Sequence, residues 1–401
     1  MESKNTPLLF VLAILLGLAA VLAYQHKKKE NSGPSNWPPP CPEPPVVEPP
    51  REATFEEALD SITTQELKTN VYKLADDEWE GRMSGKKGNK AAAAWIKEMY
   101  SGYGLRTMYD RFSIQRMNPG PHNETGDDYT QNIYAWIEGS DPELKNEIVV
   151  VGAHLDHIGY GPRMSRSSSR REIHNGADDN ASGTSAVLEM AQAMAMLKPK
   201  RTVVFQAYSA EEMGLIGSRH YCNSPKFPLN DPDIRKHVAM VNLDMIGYLD
   251  KGYYFAGYHD GTSSLDISRI ISELNRKYSF ADRITSRRGG GSDHASFYNK
   301  RIPVASMHTG LHRWYHTPDD TADKINYPGM EKVARYTFEL VWRLANDASK
   351  PRFNYSEFKE LPYVHDHGHP GVPFYIHSYH RLRFFDHQSL QPPNLAGEKN
   401  E

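Results

Sequence analysis

The sequence predicts an α/β fold: a three-layer α/β/α sandwich built around a mixed, largely parallel sheet. Two observations support this prediction. Between residues 53 and 350, strand-like segments alternate with helical patterns, and such alternation is typical of a parallel sheet covered by helices. Segments such as TVVFQAY and HVAMVNL are largely apolar along their length, as expected for strands that are buried on both faces.

The order of the predicted elements follows from these patterns. Strand-like segments occupy residues 132–138, 147–151, 202–208, 237–243, 253–256 and 302–307, and helical patterns occupy residues 54–75, 88–101, 181–197, 264–278 and 329–347. In open sheets of this kind, ligands bind beyond the carboxyl ends of the strands. Polar residues that directly follow a strand are therefore the first candidates for a functional site.

Composition limits the class of protein. The chain has 401 residues, of which 39% are hydrophobic and 24% are charged, and these values are typical of a soluble globular protein with polar extensions. The net charge is −3 and no long basic stripe is present, so we expect no nucleic-acid partner. Cys41 and Cys222 form neither a disulfide framework nor a zinc-knuckle spacing.

The N-terminus contains one apolar segment. Residues 8–23 are uninterrupted by polar side chains and are followed by His26 and the lysines at 27–29. The length of the segment lies between the apolar core of a secretory signal and a full membrane span. We expect an uncleaved membrane anchor, with a cleaved signal or a buried helix as alternatives. The expected location is membrane-anchored or exported, and the orientation stays open.

Four regions are predicted along the chain. Residues 1–30 form the membrane anchor or signal, and residues 31–52 form a proline-rich linker that includes WPPPCPEPP. Such a linker adopts an extended geometry and packs no core. Residues 53–350 form the folded domain, and residues 351–401 form an extension rich in histidine and aromatic residues. This extension is either a metal-binding tail or, as we favour, a peripheral segment packed loosely on the domain.

Histidines and carboxylates follow several predicted strands, or lie in the stretch NGADDNASG between two of them. These residues are His154, Asp156, His157, Asp178, Asp179, Glu211, Glu212, Asp244 and His316. So many carboxylates in one cleft would be strongly unfavourable without cations to balance them. A mixture of histidine, aspartate and glutamate ligands suits zinc in a hydrolytic site.

At this point the sequence resembles the M28 zinc aminopeptidases. The stretches that carry the resemblance are GAHLDHIG, NGADDNASG, SAEEMGLIGS, NLDMIG, GSDHASF and WYHTPDDT, and they occur in the order found in that family. The resemblance covers roughly residues 55–347. It implies a peptidase domain over residues 53–350 that hydrolyses N-terminal residues from peptide substrates through a metal-bound water.

The resemblance also implies a centre of two zinc ions. Asp178 would be the carboxylate that bridges both ions. His154 and Asp244 would complete one site, and Glu212 and His316 would complete the other.

Two further residues receive roles from the resemblance. Glu211 would stay off the metals and act as the general base, and Asp156 would orient His154 from behind. Asp179 would help to shape the turn after the bridging residue. No chemical step is assigned to His157 or to the segment 292–294. A structural hydrogen-bonding role is at least as well supported for them as a functional one.

Each of these residues also has a purely structural interpretation. His154 alone could be a core histidine, Asp178 could cap the following helix, and Glu211 with Glu212 could start a solvated helix. Asp244 and His316 could be turn residues. The six motifs together favour the metal centre.

Other functions of the same fold remain as alternatives. A carboxypeptidase would need a cationic clamp, for which Arg287, Arg288 and Arg313 are the candidates. A dipeptidase or a glutaminyl cyclase would use related amide chemistry, but the cyclases typically use one zinc. A non-catalytic binding ectodomain would have lost ligands, and no ligand is missing from the motifs.

Overall fold

A seven-stranded mixed sheet forms the centre of the described part of the chain. The computed structural model describes residues 52–361, except residues 115–127, 162–163, 168–171, 226–232, 250–255, 259–262, 281–290 and 357. The predicted anchor or signal, nearly all of the predicted linker and most of the predicted C-terminal extension therefore lie outside the described residues.

The sheet has a parallel centre and antiparallel edges. Its order is β1-β2-β6-β3-β7-β9-β8, and β4 pairs with β5 in a separate two-stranded ribbon. The strands are β1 (Arg106–Ser113), β2 (Tyr129–Ile137), β3 (Ile148–His154), β4 (Gly159–Tyr160), β5 (Ile173–His174), β6 (Thr202–Tyr208), β7 (His237–Leu243), β8 (Ala256–Tyr258) and β9 (Val304–His308). Strands β6, β3, β7 and β9 run parallel, whereas β1, β2 and β8 run antiparallel to their neighbours. The carboxyl ends of the four central strands therefore meet at one edge.

Both faces of the central strands are buried. Val149 and Val151 of β3 belong to a large core on one face, and Val150 belongs to a smaller core on the other. Successive side chains of a strand point to opposite faces, so a strand buried on both sides is apolar at most of its positions. This explains the largely apolar runs in the sequence.

Eight helices cover the sheet among the described residues. They are α1 (Phe55–Asp60), α2 (Thr64–Leu74), α3 (Lys87–Gly102), α4 (Gly183–Ala195), α5 (Ile216–Asn223), α6 (Leu265–Tyr278), α7 (His294–Tyr298) and α8 (Tyr327–Asn346). Helices α5 and α7 contribute to the smaller core, and the other six contribute to the large core. The predicted three-layer α/β/α sandwich with a mixed sheet is confirmed.

Several element boundaries differ from the prediction. The predicted helix over 54–75 is two helices, because the Thr63 side chain accepts a hydrogen bond from the backbone N–H of Glu66 and starts a new helix. The predicted helix over 181–197 begins at Gly183, after an irregular turn over Ala177–Ser182. Strand β1 was not predicted.

The structure also corrects the predicted location. In the described parts of residues 52–361, no helix is both long enough and apolar enough to cross a membrane. This finding contradicts the prediction of a membrane-anchored protein. Residues 8–23, on which that prediction rested, lie outside the described residues.

Candidate metal centre

The central strands bring polar side chains to one edge of the sheet. Strand β3 ends at His154, which lies opposite the last residue of β6 in the parallel register. Glu211 and Glu212 follow β6, and Asp244 directly follows β7. The loop after β9 carries His316, whose Nε2 lies 3.2 Å from Oε2 of Glu212. Residues far apart in the sequence thus form one cluster.

The first set of ligand-type side chains is the His154 group, which consists of His154, Asp179 and Asp244. Nε2 of His154 lies 3.3 Å from Oδ1 of Asp179 and 3.4 Å from Oδ1 of Asp244. All three residues are buried. One imidazole and two carboxylates therefore face each other away from solvent.

The second set is the His316 group, which consists of His157, Asp179, Glu212 and His316. Nε2 of His316 lies 3.1 Å from Oδ2 of Asp179, and Nδ1 of His157 lies 2.8 Å from Oε1 of Glu212. Within each group, one ligand atom from every residue lies within 4.8 Å of the others. The second set therefore offers two imidazoles and two carboxylates.

Asp179 belongs to both groups, whereas Asp178 belongs to neither. The Asp179 carboxylate turns Oδ1 towards His154 and Oδ2 towards His316. The Asp178 carboxylate instead accepts a hydrogen bond from the backbone N–H of Gly247 at 2.6 Å. Its other oxygen lies 2.9 Å from Nε2 of His312. The shared position that the sequence predicted for Asp178 is therefore taken by its neighbour.

The local backbone explains why adjacent aspartates face different partners. Asp179 has φ −105° and ψ 94°, a nearly extended conformation in which successive side chains diverge. The carboxylate of Asp320 accepts the backbone N–H groups of both Asp178 and Asp179, at 2.9 and 3.1 Å. Gly176, at φ +57°, allows the preceding chain to approach closely, since a Cβ there would lie 2.1 Å from the Asp179 carbonyl oxygen.

The imidazoles of His154 and His316 are oriented by backbone carbonyls. Nδ1 of His154 lies 3.2 Å from the carbonyl oxygen of Asp156, and Nδ1 of His316 lies 3.1 Å from that of Met164. A hydrogen on Nδ1 can donate to these carbonyls, and Nε2 is then an unprotonated nitrogen that faces the carboxylates. This is the tautomer that a metal ligand requires.

Glu211 and Asp156 lie beside these groups. One oxygen of Glu211 lies within 4.8 Å of ligand atoms of His154 and Glu212. The Asp156 carboxylate accepts the backbone N–H of Glu211 at 3.2 Å, and it lies 3.8 Å from Nδ1 of His154. The backbone of Asp156 thus orients the imidazole, while its side chain holds the start of the Glu211 turn.

Buried charges determine the electrostatics of the cluster. Burial disfavours the protonated form of His154, but the charges of Glu211 and Asp244 outweigh burial and hold its pKa well above the usual value. Burial also disfavours the charged form of Glu212, but His316 and His157 hold its pKa well below the usual value. Burial likewise disfavours the protonated form of His316, but the charge of Glu212 holds its pKa well above the usual value. When protonated, His154 and His316 therefore act as positive counter-charges to the carboxylates, a role that a cation bound to the unprotonated imidazoles can take over.

Arg82 braces the backbone beneath the cluster. Its buried guanidinium donates to the carbonyl oxygens of Leu155, Leu74, Asn175 and Gly176. Burial lowers the pKa of Arg82 to about 10, against the opposing effect of nearby carboxylates such as Asp179. The side chain therefore ties the loop after β3 to the turn before Asp179.

The donor set fits a metal of the zinc class. Imidazole nitrogen and carboxylate oxygen are both common zinc ligands, and the two groups supply both kinds from buried residues. If the histidines are uncharged ligands, they neutralise none of the negative charge of the carboxylates. Divalent cations would balance that charge. The shared Asp179 allows two cations to lie side by side.

Comparison with known proteins identifies the family. The profile of peptidase family M28 matches residues 132–341, just over half of the chain. This chain belongs to peptidase family M28. The aminopeptidase YwaD of Bacillus subtilis is 30% identical to this M28 chain, over 51% of the chain and 43% of YwaD. The M28 chain spans about half the length of the curated relatives it matches.

Solved structures share the fold of this M28 chain. The zinc aminopeptidase BSAP from Bacillus subtilis has a TM-score of 0.58 at 18% identity, and the match covers 72% of this chain and 97% of BSAP. A glutaminyl cyclase from Bacteroides thetaiotaomicron has a TM-score of 0.57 at 18% identity, with coverage of 70% and 98%. At these identities the likeness establishes the fold. The predicted membership of the M28 family is confirmed.

The structure brings together most of the residues predicted for the centre. The predicted residues within it are His154, Asp156, Glu211, Glu212, Asp244 and His316. Asp178 lies in neither group, Asp179 lies in both, and His157 is an additional member of the His316 group. The spacing in HLDHIG could have indicated His157, because that residue lies three positions after His154 at the end of the same strand.

Three other predicted features lie around the cluster. Asp293, from the segment without an assigned role, is buried, and burial together with the charge of Glu211 raises its pKa to about 8. Arg313, a candidate clamp for a carboxypeptidase, is exposed and its guanidinium stacks 4.8 Å from the ring centre of Trp314. Arg287 and Arg288 lie outside the described residues.

Proposed function

We propose that this M28 chain is an aminopeptidase that releases N-terminal residues from peptides at a two-zinc centre. The observation that carries the proposal is the sharing of Asp179 by two buried sets of imidazole and carboxylate ligands. His154 and Asp244 would complete one zinc site. Glu212 and His316 would complete the other, and Asp179 would replace Asp178 as the bridging ligand.

The remaining residues account for the hydrolytic step. When bound, a zinc pair supplies activation of a water and polarisation of the scissile carbonyl. Glu211, beside His154 and Glu212, would take a proton from the attacking water and return it to the leaving amine. Asp156 would keep Glu211 in place through the hydrogen bond to its backbone N–H.

The cluster offers the α-amine of a substrate an acceptor outside the proposed ligand set. Asp179, Glu212 and Asp244 would offset three of the four positive charges of two zinc ions, and Glu211 is a further buried carboxylate at the same edge of the sheet. Glu211 can therefore accept a hydrogen bond from a substrate amine. The one described candidate clamp for a substrate carboxylate, Arg313, stacks on Trp314 at the surface. These features favour an aminopeptidase over a carboxypeptidase.

The test compares matched peptides and matched glutamate variants. Wild-type protein is expected to hydrolyse a peptide with a free N-terminus and to leave its N-acetylated counterpart intact. Glu211→Gln should retain zinc and lose about 10²–10⁴-fold in kcat, the usual contribution of general acid–base catalysis. Glu189→Gln is the control, because Glu189 is also buried but hydrogen-bonds Asn70, outside both ligand groups.

Two outcomes would contradict the proposal. Equal hydrolysis of the acetylated and free peptides would exclude recognition of the α-amine. Cyclisation of an N-terminal glutamine without peptide-bond hydrolysis would assign the site to a glutaminyl cyclase instead.

A further inference from the structure

His157 has a position in the cluster that the proposed reaction does not use. Its imidazole is buried, and Nδ1 lies 2.8 Å from Oε1 of Glu212 and 3.7 Å from Oδ2 of Asp179. The ring also packs edge-on against His316, with ring centres 5.5 Å apart. His157 therefore faces the same carboxylates as His316.

The backbone fixes this position of the ring. A Cβ on Gly176 would lie 2.5 Å from Cδ2 and Cγ of His157, so the ring occupies space that only a glycine leaves open. The same Cβ would lie 2.1 Å from the Asp179 carbonyl oxygen. The turn at Gly176 therefore positions both His157 and Asp179. The imidazole is held against the carboxylates by packing as well as by its polar contact.

The separations within the His316 group are compatible with four ligands around one ion. Ligands at about 2.0–2.1 Å from a tetrahedral zinc are about 3.3 Å from one another. From Oδ2 of Asp179, the nitrogen of His157 lies at 3.7 Å and that of His316 at 3.1 Å, on either side of this value. The two imidazoles contact different oxygens of Glu212, at 2.8 Å for His157 and 3.2 Å for His316, and one oxygen of Glu212 lies within 4.8 Å of the other three ligand atoms. The His154 group, by contrast, offers three residues.

We propose that His157 is a direct metal ligand through Nδ1, so that His157, Asp179, Glu212 and His316 close one site with four protein ligands. The His154 group then keeps an open position. Closed four-ligand sites are typical of structural zinc and open sites are typical of catalytic zinc. The two sites are therefore unequal: the closed site fills first and holds its ion, while the open site exchanges its ion and receives water or substrate. This inference rests on the proposed two-metal centre.

The first test measures zinc affinity in chelator competition. His157→Gln should weaken one of the two zinc sites by more than about 100-fold, beyond the 10–100-fold that loss of an outer hydrogen-bonding partner costs. The second site should change little. His174→Gln is the matched control, because His174 is a nearby buried histidine that pairs with Ser165 and belongs to neither group.

The second test counts imidazoles directly. X-ray absorption spectra of protein loaded with one equivalent of zinc should fit two imidazoles in the wild type and one in His157→Gln. One imidazole in the wild type would overturn the inference and leave His157 as a positioning residue for Glu212. This measurement on the wild type decides the question even if the variant fails to fold.

The outcomes also separate this inference from the proposed function. A chain that binds a single zinc, with an imidazole count that falls in His157→Gln, would support the ligand role and contradict the two-metal centre. Two bound zinc ions with unchanged affinities in His157→Gln would overturn the ligand role alone. A wild type that binds no zinc would overturn both.

Discussion

At the residue scale, Asp156 connects a proposed metal ligand to the proposed general base. Its backbone carbonyl accepts from Nδ1 of His154 at 3.2 Å, and its carboxylate accepts the backbone N–H of Glu211 at 3.2 Å. The first contact survives any substitution of the side chain, whereas the second depends on the carboxylate. The role predicted for Asp156, to orient His154, thus falls to its backbone carbonyl, while its carboxylate holds the backbone of Glu211.

This division predicts the behaviour of Asp156→Asn. The variant should retain its zinc, because the carbonyl that orients His154 is unchanged. It should lose about 10–100-fold in kcat, because small displacements of a reacting group cost this much. Metal analysis and steady-state kinetics on the same preparation measure both effects. A loss of zinc equal to that of His154→Gln would show that the Asp156 side chain, and not its backbone, orients the imidazole.

The two neighbouring aspartates, Asp178 and Asp179, show what sequence reasoning can and cannot give at this scale. The stretch NGADDNASG contributes Asp179 to the cluster, and it could be singled out because acidic residues between two strands stand out in the sequence. Which of the two aspartates faces the cluster depends on the φ and ψ of the turn and on the partners Gly247, His312 and Asp320. Those partners lie at least 69 residues away in the chain, so the residues around NGADDNASG do not indicate them.

At the element scale, the turn over Ala177–Ser182 is the part of the fold on which the centre depends most. It leads into α4, and it presents Asp179 to both ligand groups. On one side of the turn, Arg82 donates a hydrogen bond to the carbonyl oxygen of Gly176. On the other side, the Asp320 carboxylate accepts the backbone N–H groups of Asp178 and Asp179. The turn is therefore held from two sides.

Gly176→Ala tests this dependence. The added Cβ would meet the Asp179 carbonyl oxygen and the His157 ring, at a φ of +57° that alanine tolerates poorly. We expect a loss of about 1–3 kcal/mol in the free energy of unfolding together with weaker zinc binding. Gly102→Ala is the control, because nothing lies within 4 Å of a Cβ at that glycine. Thermal unfolding with and without chelator provides the measurement. Normal zinc affinity in Gly176→Ala would show that the turn does not set the ligand positions.

The elements themselves could be predicted to different degrees. The central strands β6 and β7 begin and end at the predicted residues, because strands buried on both faces leave largely apolar runs. Strand β1 was missed because it lies at an edge of the sheet and five of its eight residues are polar. The break between α1 and α2 depends on one side-chain hydrogen bond of Thr63, which does not interrupt the helical pattern of the sequence.

At the scale of the whole molecule, the parallel centre of the sheet assembles the cluster. The residues of the two groups run from His154 to His316 along the chain, and they meet because the carboxyl ends of β3, β6, β7 and β9 share one edge. This gathering could be predicted from the sequence, since it follows from the fold class alone. Metal ions bound to both groups would link five separate segments of the domain, so their binding free energy would add to the stability of the folded state.

The measurement that tests the central claim most directly is the zinc content of the purified chain and of two neighbouring aspartate variants. The account predicts two zinc ions in the wild type and in Asp178→Asn, because asparagine can still accept from Gly247 and Asp178 faces away from the ligand groups. It predicts that Asp179→Asn binds zinc weakly at both sites and retains fewer than one ion after dialysis. One zinc in the wild type would contradict the two-metal centre. Loss of both ions in Asp178→Asn, with both retained in Asp179→Asn, would contradict the shared role of Asp179.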